Sequence, residues 1–327
     1  MPFKHRWAVA SVSLGTHPSH TLECKIEALN KFGFDGIELV WSDLAQHAAS
    51  RRQNMTESAK QIRDYADLHQ ITILSLNPFK FFEGNLGSGL DERLRQVREW
   101  CYIATVLNTQ ILQMPSQFLA DSTGDEEIIV RELQEAADLA AQYGLSIAYE
   151  AVAWSPHNSR WQDAARIVES VARPNFGHCL DSFHIHAKLW GDARSADGKL
   201  PDADKVTNAS LKELPGWFAK NKVMYIQLSD GARFDPPLKE DSPLMEGLEV
   251  KDYRLAWSRS ARPFPLESPG YFPMENLVNC LFQEANWKGW ISLEAFLKET
   301  KMQDNGPEEM AARARASVDA ICRVVGA

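Results

Sequence analysis

Four oxygen-bearing side chains stand at or near the C-terminal ends of four successive apolar runs. Glu150 closes Ile147-Ala148-Tyr149-Glu150, Asp181 closes His178-Cys179-Leu180-Asp181, Gln227 lies in Met224-Tyr225-Ile226-Gln227-Leu228, and Glu294 closes Ile291-Ser292-Leu293-Glu294. Three carboxylates gathered without a cation repel one another, and burial raises their pKa values further. A divalent ion removes that conflict. Three carboxylates with one amide oxygen form a hard donor set, suited to Mg²⁺ or Mn²⁺ rather than to the His/Cys sites that zinc prefers. Singly, each residue has a plainer role: Glu150 or Asp181 could cap a helix or pair with an arginine, and Gln227 could be a satisfied core amide. Repetition at the same place on successive runs favours a joint metal site.

Two histidines follow these positions closely. His184 comes three residues after Asp181, and His157 lies in the loop after Glu150. Either is a solvated loop histidine or a general base or proton donor, since imidazole titrates near neutral pH. Lys80, in Asn77-Pro78-Phe79-Lys80, sits in a loop fixed by Pro78 and Gly84. Arg259 and Arg262 belong to Trp257-Ser258-Arg259-Ser260-Ala261-Arg262 and could grip a carboxylate bidentately, or tie their own loop down with ion pairs.

The elements that must position these groups follow from the alternation of short apolar runs with longer amphipathic stretches. Strands are expected over 7–14, 36–40, 71–76, 109–114, 145–150, 176–181, 222–228 and 289–295. Helices are expected over 20–32, 55–69, 91–107, 125–143, 161–172, 203–219, 273–286 and 307–325. Gly33 and Gly144 suit left-handed caps, and Pro273 and Pro307 suit first helical turns. Near-continuous apolar strands point to a parallel sheet covered by helices, and eight units close an α/β TIM-type (β/α)8 barrel spanning 1–327 as one domain. A doubly wound open sheet is disfavoured, because Ser13-Leu14-Gly15-Thr16-His17 is no dinucleotide-binding glycine loop. The long connection 229–271 holds Tyr253, Trp257 and Phe264 among its prolines, and is expected to be an ordered lid over the C-terminal mouth.

Composition narrows the function class. The 327 residues carry a net charge of −9, which argues against a nucleic-acid partner. No apolar run approaches the roughly 18 residues of a spanning helix, so no membrane partner is expected. The N-terminus lacks a sustained apolar segment and a small-residue cleavage site, and the five cysteines stand far apart with no CxxC pair. A cytoplasmic protein is expected; self-association into a homo-oligomer stays open.

The run Gly33-Phe34-Asp35-Gly36-Ile37-Glu38, together with the Glu/Asp/Glu strand ends, resembles the xylose-isomerase-like TIM barrels. A narrower resemblance is carried by Tyr149-Glu150-Ala151-Val152-Ala153-Trp154-Ser155-Pro156-His157, by the stretch 175–184, by Ile226-Gln227-Leu228-Ser229-Asp230 and by 257–262. These motifs, in this order over about 7–296, are similar to the 3-dehydroshikimate dehydratases. The resemblance implies one divalent ion (Mg²⁺, Mn²⁺ or Co²⁺) held by Glu150, Asp181, Gln227 and Glu294, where sugar 3-epimerases of the same barrel usually place His at the third position. It implies Lewis-acid stabilisation of an enolate, loss of the β-hydroxyl as water, and protocatechuate as product. His157 or His184 would be base or donor, and Lys80, Arg259 and Arg262 would bind the substrate carboxylate. Related dehydratases carry arginine where this chain has Lys80, which keeps the charge but loses the fork. Some bacterial members carry an additional C-terminal domain, which is not expected here. The alternative is a divalent-metal sugar or cyclitol isomerase, epimerase or dehydratase on the same barrel.

Overall fold

The computed structural model describes residues 5–326. Among the described residues, ten strands occur in chain order: β1 (Arg6–Ala10), β2 (Gly36–Val40), β3 (Thr72–Asn77), β4 (Ile111–Pro115), β5 (Ser146–Glu150), β6 (Phe176–Asp181), β7 (Val223–Leu228), β8 (Ala261–Arg262), β9 (Trp290–Leu293) and β10 (Phe296–Leu297). Eight of them, β1 to β7 and β9, form a closed parallel barrel, because β1 pairs with β2 on one side and with β9 on the other. Closure excludes the open doubly wound sheet. Strands β2 and β6 are buried along their whole length, polar Glu38, His178 and Asp181 included, which is why they read as near-continuous apolar runs rather than alternating ones.

Local chemistry sets where the outer helices begin and end. Thr21 caps Leu22–Lys31 by accepting from Cys24 N, and Gly33 follows at φ +70°, a conformation that suits glycine. Asn54 and Glu57 form a reciprocal capping box at Met55–Leu68. Pro307 occupies the first turn of Pro307–Val324, where its missing N–H costs nothing. No helix among the described residues is long and apolar enough to cross a membrane.

The structure departs from the sequence reading in several places. The run 7–14 is a strand only to Ala10 and then a 3-10 turn, Ser11–Leu14. Helices Trp41–Arg51 and Ser182–Leu189 were not anticipated, since each starts directly at a strand end with no linker to mark it. The stretch 203–219 divides into Ala203–Leu211 and Leu214–Phe218, with Pro215 at the start of the second piece. Residues 273–286 hold a short helix, Met274–Asn279, that widens into a π turn over Cys280–Glu284.

The connection 229–271 is built from inside. Trp257 and Phe264 are fully buried, and Trp257 Nε1 donates to Ala232 O at 2.9 Å. Asp230 gathers both ends of the loop by accepting from Gly231 N at 2.8 Å and Phe272 N at 2.9 Å. Within the loop lie helix Tyr253–Ser258 and β8, and β8 pairs antiparallel with β10 just beyond the last barrel strand. That ribbon delivers Arg262 to the barrel mouth, opposite Phe296.

Candidate active site

A cavity of about 690 Å³ opens at the C-terminal mouth of the barrel. Glu150, Glu294, Asn77 and Gln113 line it from the barrel strands and their ends, His184 lines it from the helix Ser182–Leu189, and Lys80, Glu249, Arg259 and Lys301 line it from other elements. Trp41 and Trp100, stacked with centroids 4.2 Å apart, give it an aromatic wall.

The floor holds a concentration of negative charge. Asp181 and Gln227 are register partners across β6 and β7, and Glu150 ends β5 beside them. Asp181 also caps the helix that follows, its Oδ1 accepting from Phe183 N at 2.6 Å, so the strand-to-helix junction fixes its carboxylate. Arg262 inserts among these acids: one guanidinium nitrogen pairs with Asp181 and lies 2.9 Å from Glu294 Oε2, while Nε donates to Ser229 Oγ at 2.6 Å. One arginine thus faces three carboxylates. Burial, with the charges of Asp181 and Glu294 added, pushes the Glu150 carboxyl well above the usual range. Burial likewise pushes Glu294 up to about 8, although Arg262 pulls the other way. A hard oxygen set with uncompensated charge fits a divalent cation.

His184 stands against this cluster, with Nε2 3.7 Å from both Glu150 Oε1 and Asp181 Oδ2. An oxygen of each acid and a nitrogen of this ring lie within 4.8 Å of one another, a grouping that could itself hold an ion. The ring's other contact argues against ligation: Nδ1 accepts from Ala153 N at 3.0 Å, so in the neutral ring Nε2 carries the proton and acts as a donor. Burial lowers the His184 pKa to about 4, which keeps that ring neutral near pH 7.

The expected substrate contacts separate into three situations. Lys80 and Arg259 are both on the cavity lining, and both grip the same oxygen of Glu249, at 3.1 Å and 2.7 Å. Arg262 is buried, with its guanidinium already engaged by Asp181 and Glu294, so it faces the carboxylate cluster rather than offering a free fork. His157 is not on the lining. Its Nε2 lies 3.1 Å from Ser122 Oγ, and its ring packs so closely over Gly124 that a Cβ there would meet Nδ1 at 2.7 Å.

Residues that the sequence reading passed over complete the cavity. Asn77 ends β3 and Gln113 lies in β4, where its Nε2 donates to Glu150. The amide oxygens Asn77 Oδ1 and Gln113 Oε1 are buried without partners, and so remain open to hydroxyl donors of a polar ligand. The rule that found Glu150 and Asp181, a polar side chain near a strand end, would have found both had it been applied to β2, β3 and β4.

A strand-end acid cluster in a closed parallel barrel defines a class, and sequence comparison agrees: the family model for the xylose isomerase-like TIM barrel matches residues 26–321, and the chain belongs to that family. Within it, the chain is 32% identical over 320 residues to a 3-dehydroshikimate dehydratase of Neurospora crassa, covering 92% of this chain and 88% of that protein. It is 30% identical over 289 residues to a 3-dehydroshikimate dehydratase of Pseudomonas putida, covering 88% of this chain but only 38% of that longer protein. Among solved structures, the IOLI protein with a binding zinc atom superposes with a TM-score of 0.71 at 22% identity, covering 98% of each chain.

Proposed function

We propose that this chain is a hydro-lyase that converts 3-dehydroshikimate to protocatechuate and water with the aid of one divalent ion. The observation that carries the reading is the acid cluster at the base of the cavity: Glu150 and Glu294, on the lining, adjoin Asp181 and the amide of Gln227, with a single arginine among them. Relatives named 3-dehydroshikimate dehydratase, similar over most of the chain, supply the substrate. Glu150, Asp181, Gln227 and Glu294 would hold the ion, with Mg²⁺, Mn²⁺ and Co²⁺ as candidates. A divalent ion supplies Lewis-acid stabilisation of the negative charge that develops on a ketone oxygen when the neighbouring carbon loses a proton.

The protein's own groups would do the rest. Lys80 and Arg259 would exchange Glu249 for the substrate carboxylate and so orient the ring at the mouth. Arg262 would hold Asp181 and Glu294 in place and offset part of their charge. His184 Nε2–H would donate a hydrogen bond to the leaving hydroxyl, and the proton given up by the ring carbon would end on that hydroxyl, which departs as water. Asn77 Oδ1 and Gln113 Oε1 would accept from ring hydroxyls. Loss of water followed by tautomerisation gives the aromatic ring, which makes the reaction effectively one-way. We place this chemistry in the cytoplasm, on a free small molecule, with neither nucleic acid nor membrane as partner.

The test is turnover of 3-dehydroshikimate by metal-reconstituted protein, followed by the ultraviolet absorbance of protocatechuate. Protocatechuate should form, and ketohexoses should be left unchanged. Epimerised ketohexose without protocatechuate would move the protein to the sugar-isomerase branch of its family.

A further inference from the structure

Glu38, in the middle of β2, has no part in the chemistry above, yet it is wholly buried in the barrel interior. Four side chains from β3 and β7 turn donors toward it. Tyr225 Oη donates at 2.8 Å, Asn77 Nδ2 at 2.9 Å and Ser75 Oγ at 3.2 Å, while Gln227 Nε2 lies 3.2 Å from each carboxylate oxygen.

The contact with Gln227 has a chemical consequence. The two ends of a primary amide are nearly equal in shape, and only the oxygen end can bind a cation. Gln227 Nε2 faces Glu38 and also reaches Glu294 Oε1 at 3.3 Å, so its oxygen is turned the other way, where Cys179 Sγ donates to it at 3.2 Å. Cys179 is on β6, two residues before Asp181, the register partner of Gln227. The amide oxygen therefore faces the strand that carries Asp181.

We propose that Glu38 is a positioning residue for the metal site: by holding Gln227 Nε2 it dictates which end of the amide is presented to the cation, and so sets the affinity for a hard divalent ion. This rests on the reading of Glu150, Asp181, Gln227 and Glu294 as ligands. It goes beyond that reading by giving a residue outside the donor set control over one of its members. Glu38→Gln keeps the shape, but two facing amides can satisfy each other either way round, so the polarity of Gln227 is no longer dictated.

The experiment is calorimetric titration of Mn²⁺ into the chelator-stripped full chain, with a melting curve for each variant. The parent should bind one Mn²⁺, and Glu38→Gln should bind it ~10–100-fold more weakly, the range for hydrogen-bond partners of metal ligands. The exchange variant Glu38→Gln/Gln227→Glu presents oxygen at position 227 in either orientation. Glu38→Gln should then cost no Mn²⁺ affinity, so the exchange variant should bind as tightly as Gln227→Glu alone, whereas a merely structural role for Glu38 would cost as much in that background. A parent that binds no Mn²⁺ overturns the ligand reading and this inference with it. A parent that binds, beside a folded Glu38→Gln that binds equally tightly, overturns the inference alone. Where the single variant does not fold, that pair decides: equal Mn²⁺ affinity in Gln227→Glu and the exchange variant supports the inference, and weaker binding in the exchange variant overturns it.

Discussion

Two buried clusters in this protein pair arginine with carboxylates, and they are built to different ends. Outside the barrel wall, Arg93 meets Glu132 through two parallel contacts of 2.8 and 2.9 Å, and Glu132 also accepts from Gly84 N. Beside it Glu83 accepts from Tyr149 Oη at 2.7 Å and Gln117 N at 2.6 Å. Burial pushes Glu83 up to about 7, so one charge pair is matched and the remaining acid sits close to neutral. At the barrel mouth, a single Arg262 faces Glu150, Asp181 and Glu294, and a cavity opens above them. The first arrangement balances charge to hold loops against a helix. The second gathers three acids around one arginine, where burial raises Glu150 and Glu294 toward the protonated form unless a further cation offsets their charge, and it leaves room beside it for a ligand.

The sharpest way to break the contrast is to remove one charge from each cluster. Glu150→Gln or Glu294→Gln should lower kcat/KM by about 10³-fold, the several kcal/mol that Lewis-acid stabilisation contributes, with circular dichroism and the melting curve little changed. Arg93→Ala should do the reverse. It should lose about 3–5 kcal/mol in denaturant unfolding, the cost of leaving a buried charge unpaired, while the molecules that remain folded keep the parent kcat.

The two histidines sharpen the boundary of the mouth. His184→Ala should cost about 100-fold in kcat, as expected for a lost proton donor, whereas His157→Ala should leave kcat near the parent value. At the rim, Arg259→Ala and Lys80→Ala should each raise KM about tenfold, the scale of a hydrogen bond to a charged group, with Arg259→Lys recovering only part. Equal kinetics for parent and both alanine variants would reduce the rim contacts to a tie between loops.

Much of this was legible in the sequence because a barrel puts chemistry where strands stop. The apolar runs ending at Glu150 and Asp181 are strand ends in the structure, and Gly33 and Gly144 do take left-handed conformations. What was not legible depends on side-chain direction and long-range pairing. Arg262 reads as a grip on a substrate carboxylate or a tie within its own loop, until the β8–β10 ribbon carries it into the acid cluster. His157 reads as a candidate base or proton donor because it follows Glu150 closely, but its loop turns the ring onto Ser122 and Gly124. Glu38 lies before its strand end, inside the barrel, and its partner Tyr225 is far away in the chain.

A pH effect concerns the outer cluster and follows from linkage. The folded-state pKa of Glu83 is raised from its ordinary value of 4.5 to about 7. Between those values the folded state binds the proton more tightly than the unfolded chain does. This contribution to stability is fully present below pH 4.5 and is lost as pH rises through 7, with a limiting slope of about 1.4 kcal/mol per pH unit. Unfolding free energies measured from pH 5 to 7 should therefore fall less steeply with rising pH in Glu83→Gln than in the parent.

The central claim is that the overcharged mouth, and not the balanced outer cluster, works on a divalent ion. The direct measurement is metal content and 3-dehydroshikimate turnover before chelation, after chelation, and after Mn²⁺ is returned. The account predicts one tightly held ion per chain, activity abolished when it is stripped, and activity restored with one equivalent of Mn²⁺. Full turnover by thoroughly stripped protein would contradict it.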